Sequence, residues 1–254
     1  MSNSMISLDG RVCVITGVGK GIGRDCAKLF ARQGAKLALI TRSSSDIDQL
    51  TDELELPDEN IFAIAGDVSD PETVKGFADA AFKKFGHLDV LVNNAGMRFR
   101  KSFMDIDFAD WQKVMTVNTG STFLMCQAVG KYMIEQNQGR IINMASIIGT
   151  QGLPELSGYG ASKGAIVSLT KCLALEWAKH SINVNVIAPG FCETSYADSF
   201  KQNTELYDFT LERTPMGKWG LGSDVAKACL FLATDLSDYV TGEVLHVDGG
   251  WSAW

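Results

Sequence analysis

The sequence lacks concentrated positive charge and long apolar runs, and each absence excludes a class of protein. Its 254 residues carry a formal net charge of −7, and the basic residues are scattered, which argues against a surface for a nucleic-acid phosphate backbone. No apolar run approaches the ~18 residues that a membrane span needs, and residues 1–5 do not begin a charged and then apolar leader. We therefore expect a cytoplasmic protein whose partner is neither a nucleic acid nor a membrane.

Cysteine and histidine are too dispersed to suggest a metal site. The six cysteines show no Cys-x-x-Cys spacing, and several lie in apolar runs, as Cys13 does. This pattern predicts buried free thiols in a reducing compartment. His87, His180 and His246 stand far apart in the sequence without a ligand pattern, so we predict no metal.

The sequence does contain a regular alternation of short apolar runs with longer, helix-compatible segments. This alternation predicts an α/β fold with a parallel sheet covered by helices on both faces. No linker or repeat interrupts it, which favours a single domain over residues 1–254. The segment at about 191–221 breaks the alternation, and we predict a lid or substrate loop there. The strand candidates are 11–16, 36–40, 61–65, 88–92, 140–145, 182–188 and 244–247.

A glycine-rich turn follows the first strand candidate. Residues 16–23 read TGVGKGIG and precede an amphipathic helix. Glycines at such a turn let backbone N–H groups and a helix N-terminus approach a pyrophosphate closely. Glycine-rich turns also serve tight geometry alone, but the position after the first strand favours a dinucleotide site.

The end of the second strand candidate favours NADP over NAD. An acid there binds the ribose 2′-hydroxyl of NAD, whereas a basic residue accepts the 2′-phosphate of NADP. Thr41 stands where the acid would be, Arg42 follows it, and Lys20 lies in the glycine turn. Alternatively, Arg42 is solvated and stacks on the adenine, which allows either cofactor. After the third strand candidate, Asp67 and Val68 are placed for the adenine amino group, or Asp67 caps the next helix.

Tyr159 and Lys163 stand four residues apart, so a helix would place a phenol and an ammonium on one face. An unperturbed tyrosine titrates near ~10, and a cation within ~4–6 Å lowers that pKa. The pair therefore predicts a proton donor and acceptor at neutral pH. The same spacing also occurs on solvated helix faces, so its context decides between the two interpretations.

These elements together resemble the short-chain dehydrogenase/reductase family over essentially the whole chain. The resemblance implies a Rossmann fold with a doubly wound, seven-stranded sheet and a nicotinamide cofactor. It also implies hydride transfer at a carbonyl carbon of a small molecule, and usually a homotetramer. It rests on an ordered set: the turn at 16–23, Asp67, the Asn-Asn-Ala-Gly run at 93–96, Asn118, Ser146, Tyr159, Lys163, Pro189-Gly190 and Thr194.

The resemblance assigns four residues to catalysis. Tyr159 would exchange a proton with the substrate oxygen, and Lys163 would lower the phenol pKa and hold the nicotinamide ribose. Ser146 would hydrogen-bond the reacting oxygen. Asn118 would use its side chain or a locally opened helix to hold water in a proton relay to Lys163. Alone, Asn118 could equally be a helix-surface amide.

The resemblance also defines a cofactor site along the carboxyl edge of the sheet. Pro189-Gly190 would press against the nicotinamide, and Thr194 would bind its carboxamide or the diphosphate. The small residues of the 93–96 run would leave room for the cofactor. The implied cofactor-binding residues are Thr16, Gly17, Lys20, Gly21, Ile22, Gly23, Thr41, Arg42, Asp67, Val68, Asn94, Ala95, Gly96, Tyr159, Lys163, Pro189, Gly190 and Thr194.

The substrate is indicated by the residues after the Asn-Asn-Ala-Gly run. Arg98, Arg100 and Lys101 would suit a carboxylate at the mouth of the site, next to Ser146 and Tyr159, or they are solvated loop charges. Looser similarity at 213–215, 218–220 and 247–251 favours a dehydrogenase of gluconate-type sugar acids or polyols. A 3-oxoacyl carrier-protein reductase is the alternative, and a non-catalytic dinucleotide-binding protein is a distant one. The aromatic residues at 251 and 254 are expected at a subunit interface.

Overall fold

A sheet of seven parallel strands lies at the centre of the computed structural model, which describes residues 6–194 and 197–254 without the side chains of 198 and 199. The seven strands of this sheet are β1 Val12–Thr16, β2 Lys36–Thr41, β3 Ile61–Ala65, β4 Val90–Asn93, β5 Gly139–Met144, β6 Ile182–Pro189 and β9 Val244–Val247. Two further strands, β7 Cys192–Glu193 and β8 Gly220–Leu221, pair with each other outside it. The order across the sheet is β3-β2-β1-β4-β5-β6-β9. The strand order reverses between β1 and β4, which is where open α/β sheets bind their ligands. The predicted doubly wound fold is confirmed.

Helices cover both faces of this sheet. They are α1 Ile22–Arg32, α2 Ser44–Leu54, α3 Pro71–Phe85, α4 Phe108–Met115, α5 Ser121–Gln136, α6 Ser157–Trp177, α7 Ala197–Lys201, α8 Thr204–Glu212 and α9 Gly222–Ala233. A π-helical turn at Thr116–Gly120 joins α4 to α5. Among the described helices, none combines the length and apolar composition that crossing a membrane requires.

The apolar core is divided into two layers by the sheet, as β1 shows. Cys13 and Ile15 pack with residues of α1 and α9 on one face. Val12 and Val14 pack with residues of α3 and α5 on the other. Because successive side chains of a strand point to opposite faces, a strand buried on both faces reads as a continuous apolar run. This explains why the strands were visible in the sequence.

The predicted lid segment is closed at its base by a short parallel ladder. Strands β7 and β8 pair Cys192 with Gly220 and Glu193 with Leu221, and α7 and α8 lie between them. Residues 195 and 196 of this segment, like residues 1–5, lie outside the described residues. The two-residue strands are too short to show a period in the sequence.

Two sequence expectations differ from the structure. Trp251 is 1% exposed, and its ring lies 5.0 Å from that of Phe191, so it packs within the chain rather than at a subunit interface. Trp254, in contrast, is 82% exposed. All six cysteines are free, but Cys172 is exposed because it lies on an outward face of α6.

Candidate active site

Three predicted catalytic side chains line one cavity of about 450 Å³ at the carboxyl edge of the sheet: Ser146, Tyr159 and Lys163. Tyr159 and Lys163 lie one turn apart on α6, and the Lys163 Nζ is 5.8 Å from the centre of the Tyr159 ring. Ser146 follows β5 directly. The helix supplies the phenol and the ammonium, and the strand end supplies the hydroxyl.

Lys163 is buried at the floor of this cavity. It is 4% exposed, and its Nζ donates a hydrogen bond of 2.8 Å to the Met144 carbonyl. Burial disfavours the ammonium form and lowers the pKa of Lys163 to about 8. A lysine that titrates this close to neutrality can give up and regain a proton under ordinary conditions.

Ser146 is held in place by the backbone of the turn that follows it. Its Oγ accepts a hydrogen bond of 3.2 Å from the Ile148 N–H. Because a hydroxyl has one proton and two acceptor lone pairs, this bond leaves the Ser146 proton available for an oxygen atom in the cavity.

Asn118 lies behind the cavity wall, in the π-helical turn, and is fully buried. Its Oδ1 accepts from the Met97 N–H at 2.7 Å, and its Nδ2 donates to the Met97 carbonyl at 3.0 Å and to Ser162 Oγ at 2.9 Å. Both amide protons are therefore used within the chain. The backbone carbonyl of Asn118 accepts a hydrogen bond of 2.9 Å from Thr122 Oγ1. The structure thus gives the Asn118 side chain a partner within the chain at each amide atom. This favours the second sequence expectation, a locally opened helix, since Asn118 lies in a π-helical turn; the proton relay through water stays a prediction.

The glycine turn after β1 forms another part of the cavity wall. Gly17 and Gly21 have φ values of +69° and +61°, in the left-handed region that favours glycine. A Cβ on Gly17 would lie 2.8 Å from the Ala95 Cα, so no side chain fits there. Helix α1 begins at Ile22 without a side-chain N-cap, which leaves its first N–H groups available to an anion.

Thr16, Gly23 and Asn94 support the glycine turn. Thr16 Oγ1 accepts from the backbone N–H groups of Asn94 and Ala95 at 3.1 and 3.0 Å. Asn94 Nδ2 donates to the carbonyls of Thr16 and Gly17. Gly23 packs against the Asn94 Nδ2 and the Gly17 carbonyl oxygen, where a Cβ would overlap both atoms. Asn94 also lines the cavity, whereas Thr16 and Gly23 fix the shape of the turn from behind.

The part of the cavity predicted to bind adenosine, here called the adenosine end, has mixed charge. Lys20, Thr41, Arg42, Asp67 and Val68 all line it. Asp67 accepts from the N–H and the hydroxyl of Ser69, and these bonds hold the pKa of Asp67 below its ordinary value. The cap of α3 is Asp70, which accepts from the Thr73 N–H, so the alternative role of Asp67 as a cap does not apply.

The three cations of the predicted substrate mouth lie in different surroundings. Arg98 lines the cavity, with its guanidinium carbon 4.9 Å from the centre of the Phe200 ring. Arg100 instead forms an ion pair of 2.6 Å with Glu155, and Lys101 forms one of 2.8 Å with Asp110. The structure therefore brings one of the three predicted cations to the cavity.

Comparison with known proteins identifies the family. A family model described as enoyl-(acyl-carrier-protein) reductase matches residues 17–252. The chain is 38% identical over 253 residues to 2-dehydro-3-deoxy-D-gluconate 5-dehydrogenase of Escherichia coli K12, covering 98% of each chain. It is 37% identical over 243 residues to a 3-oxoacyl-[acyl-carrier-protein] reductase of Thermotoga maritima, covering 96% of this chain and 98% of the relative.

This chain belongs to the short-chain dehydrogenase/reductase family. Among solved structures, a gluconate 5-dehydrogenase of Burkholderia cenocepacia J2315 in complex with NADP and tartrate has a TM-score of 0.93 to it, at 34% identity and 98% coverage of both chains. The chain is accordingly an oxidoreductase that acts on CH–OH groups. The family binds NAD(P).

The residues present fit a dinucleotide of this kind. The left-handed glycines and the uncapped start of α1 form a cradle that an added Cβ would fill. Elsewhere in the lining, Gly190 approaches the backbone so closely that a Cβ would lie 2.7 Å from the Asp248 Cα. Pro189 and Thr194 line the cavity beside it. A long, narrow ligand with a central pyrophosphate matches this shape.

Several cavity-lining residues were missed in the sequence. Asp46 is one of them: its carboxylate lies against Gly19, where a Cβ would overlap it. The only signal was its place three residues after Ser43, which caps α2 through a hydrogen bond to the Asp46 N–H. The other missed residues outside the predicted lid segment are apolar or small, and they gave no signal because their spacing is that of ordinary core positions: Ile40, Gly66, Met97, Val117, Met144, Ala145, Ile147, Ile148 and Leu156. The segment at 191–221, predicted as a lid or substrate loop, also contributes to the lining, through Phe191, Cys192, Ala197 and Trp219.

Proposed function

We propose that this enzyme interconverts a secondary alcohol and a ketone by hydride transfer with NADP(H), on a sugar acid or polyol of the gluconate type. The observation that carries the proposal is the shared cavity. It combines the Ser146–Tyr159–Lys163 group, the glycine turn and Arg98 in one wall. NAD(H) is the alternative cofactor. A single domain, a cytoplasmic location and a homotetramer are part of the same proposal.

The catalytic roles follow from the chemistry of the side chains. When bound, the nicotinamide supplies or accepts the hydride. Ser146 donates a hydrogen bond to the substrate oxygen, keeps its own proton, and fixes the position of that oxygen. Tyr159 gives a proton to this oxygen in reduction and removes it in oxidation. Lys163, whose pKa is lowered to about 8 by burial, stabilises the phenolate by its charge and replaces the proton.

The preference for NADP is supported by the charges at the adenosine end. Arg42 and Lys20 are both exposed and line the cavity, and no acid follows β2 directly. A 2′-phosphate would gain a charge-assisted hydrogen bond there. Asp46, beside Gly19, and Asp67, in the same lining, oppose an additional negative charge, so the cations of Lys20 and Arg42 must outweigh two carboxylates.

The preference for a carboxylate substrate is supported by the position of Arg98, which lines the cavity whereas Arg100 and Lys101 do not. The charge of Arg100 is balanced by Glu155, whereas Arg98 lies in the cavity wall and packs on the ring of Phe200. A guanidinium in the wall of the cavity places a planar fork of N–H groups within reach of a carboxylate bound there. The relatives named for gluconate derivatives agree with this chemistry.

A 3-oxoacyl-[acyl-carrier-protein] reductase is the second candidate, because one relative at 37% identity carries that name. A two-by-two assay of nicotinamide absorbance separates the candidates: NADP(H) or NAD(H) against gluconate-type sugar acids or a short 3-oxoacyl thioester. We expect turnover with NADP(H) and the sugar acid. Turnover with the thioester alone would assign the enzyme to the acyl reductases, and cofactor binding without turnover on either would indicate a non-catalytic protein.

The role of Arg98 is tested with a matched pair of variants. Arg98→Gln should raise the KM for gluconate by at least ~10-fold while changing the KM for an uncharged polyol little, because an Arg–carboxylate hydrogen bond contributes ~1.5–3 kcal/mol. Arg100→Gln, which removes a charge two residues away, should have a smaller effect on both. An equal change in KM for the acid and for the polyol would mean that Arg98 does not bind the carboxylate, and would favour the interpretation of Arg98 as a solvated loop charge.

A further inference from the structure

A buried hydroxyl links the catalytic helix to the turn that carries Arg98. Ser162 lies on α6 between Tyr159 and Lys163 and is fully buried. Its Oγ donates a hydrogen bond of 2.7 Å to the Tyr159 carbonyl and accepts one of 2.9 Å from Asn118 Nδ2. The hydroxyl therefore joins the backbone of the catalytic tyrosine to the Asn118 amide.

Asn118 extends this link to the substrate side of the cavity. Its amide binds both the N–H and the carbonyl of Met97, at 2.7 and 3.0 Å, and Met97 directly precedes Arg98. A second bond supports the same geometry, because Thr119 Oγ1 donates to the Ser162 carbonyl at 3.0 Å. Two hydrogen bonds thus hold the π-helical turn on α6, and two more hold the Met97 backbone on that turn.

We infer that Ser162 is a positioning residue: through Asn118 it sets the place of the Met97–Arg98 turn relative to Tyr159 on α6. The inference rests on the proposed function, in which the two sides of the cavity bind opposite ends of one substrate. Ser162 acts from behind the cavity wall, which is formed here by Met97, Val117 and Lys163. Its effect on turnover must therefore pass through the groups that it holds.

The link matters for turnover because Ser162 and Asn118 are fully buried, away from bulk solvent. Removing the Ser162 hydroxyl leaves one Asn118 amide proton without its acceptor in a fully buried site, and an unpaired buried donor drives rearrangement. The Met97 turn is the part that can move, because it leads into a surface loop. A misplacement of ~1 Å at a reacting pair is enough to reduce turnover by ~10²-fold.

The same helix offers a close control for stability. Thr170 is also fully buried on α6, its Oγ1 donates to the Ile166 carbonyl at 2.8 Å, and it accepts from Asn143 Nδ2 at 2.9 Å. The two hydroxyls thus make the same pair of bonds, one to a carbonyl of the helix and one from an asparagine amide. Asn143, however, lies on β5 within the sheet, away from the Arg98 turn.

The experiment compares Ser162→Ala with Thr170→Val in the full-length enzyme. Both variants should lose stability to a similar degree. Only Ser162→Ala should speed hydrogen exchange at the Met97 amide, by at least ~10-fold, because that N–H depends on Asn118 Oδ1. Only Ser162→Ala should lower kcat at least ~10-fold and reduce the preference for gluconate over an uncharged polyol, while the Kd for NADPH stays within ~2-fold.

The outcomes separate the inference from the proposed function. If the two variants show the same exchange at Met97 and the same kcat, Ser162 is a structural hydroxyl and the inference is wrong. If the wild-type enzyme turns over neither gluconate nor the thioester, the proposed function fails, and the exchange comparison still decides whether Ser162 holds the Met97 turn. If Ser162→Ala does not fold, Ser162→Cys keeps the shape with a weaker acceptor and should show the same differences at smaller size.

Discussion

The buried Lys163 should make the stability of the cofactor-free enzyme depend on pH in a way that one substitution removes. Burial lowers its pKa from the ordinary 10.5 to about 8, so the folded state binds this proton less tightly than the unfolded state does. Stability rises with pH wherever the unfolded state holds more protons. The cost of the buried ammonium is therefore fully present below pH 8 and is relieved as the pH rises from about 8 to 10.5.

The size of the effect follows from the two pKa values. Since one pKa unit corresponds to about 1.4 kcal/mol, a pKa lowered from 10.5 to about 8 corresponds to roughly 3 kcal/mol of unfolding free energy. In Lys163→Met the Met144 carbonyl loses its donor at every pH. This loss changes the difference in unfolding free energy between the two proteins by a constant and does not change how that difference varies with pH. Relative to Lys163→Met, the wild-type enzyme should gain stability by up to about 1.4 kcal/mol per pH unit in this window.

Urea unfolding between pH 7 and 10 measures this difference directly. Lys113→Met is the control, because Lys113 is exposed on α4, and its difference from wild type should be flat. Titration of other groups is common to all three proteins and cancels. If the curves of wild type and Lys163→Met run parallel across the window, the buried lysine does not carry the cost assigned to it, and its place in the proton transfer must be reconsidered.

Three further predictions concern the chemistry and the cofactor site. Tyr159→Phe should lower kcat at least ~10²-fold with little change in NADPH binding, since it removes the proton and keeps the ring; retained turnover would contradict its role. Arg42→Ala should raise the KM for NADPH far more than for NADH, because a charge-assisted bond of ~1.5–3 kcal/mol is lost, whereas equal effects would mean that Arg42 does not select the cofactor. Gly17→Ala should lower the urea midpoint more than Gly86→Ala does. Both glycines have positive φ, but a Cβ on Gly17 would meet backbone at 2.8 Å, whereas a Cβ on Gly86 would meet nothing within 4 Å. Equal losses in the urea midpoint would refute the steric argument.

The fold was predictable because burial on both faces leaves a continuous apolar run. Each of the seven strand candidates overlaps a strand of the main sheet, and β1 is apolar except at Thr16, whose hydroxyl is bonded to the turn after β4. The ladder of β7 and β8 was not predictable, since two residues show no period and the partners are 28 positions apart in Cys192 and Gly220. Short, non-local pairs of this kind leave no mark on either strand alone.

The site was predictable only in part, because spacing gives the position of a residue and not its partner. The spacing of Tyr159 and Lys163 was enough to place both on one face of α6. It could not show that Glu155 balances Arg100, since the two are 55 residues apart. Nor could it show that Asp70, rather than Asp67, caps α3. In each case two like residues compete for one role, and a contact that the spacing does not show decides between them.

The buried amides show how the fold makes the arrangement of the site specific. Asn93 Nδ2 donates to Asn143 Oδ1 at 2.9 Å, and Asn143 Nδ2 donates to Thr170 Oγ1 at 2.9 Å, so β4, β5 and α6 are joined by polar bonds inside an apolar core. A shift of one residue along any of these elements would leave an amide unpaired, at a cost of ~1–3 kcal/mol for each group. The pairing therefore fixes how far α6 extends past the strand ends. These bonds lie about two turns beyond Lys163 on α6, so they act on the register of the whole helix, whereas the bonds of Ser162 and Asn118 act on the Met97 turn beside the cavity.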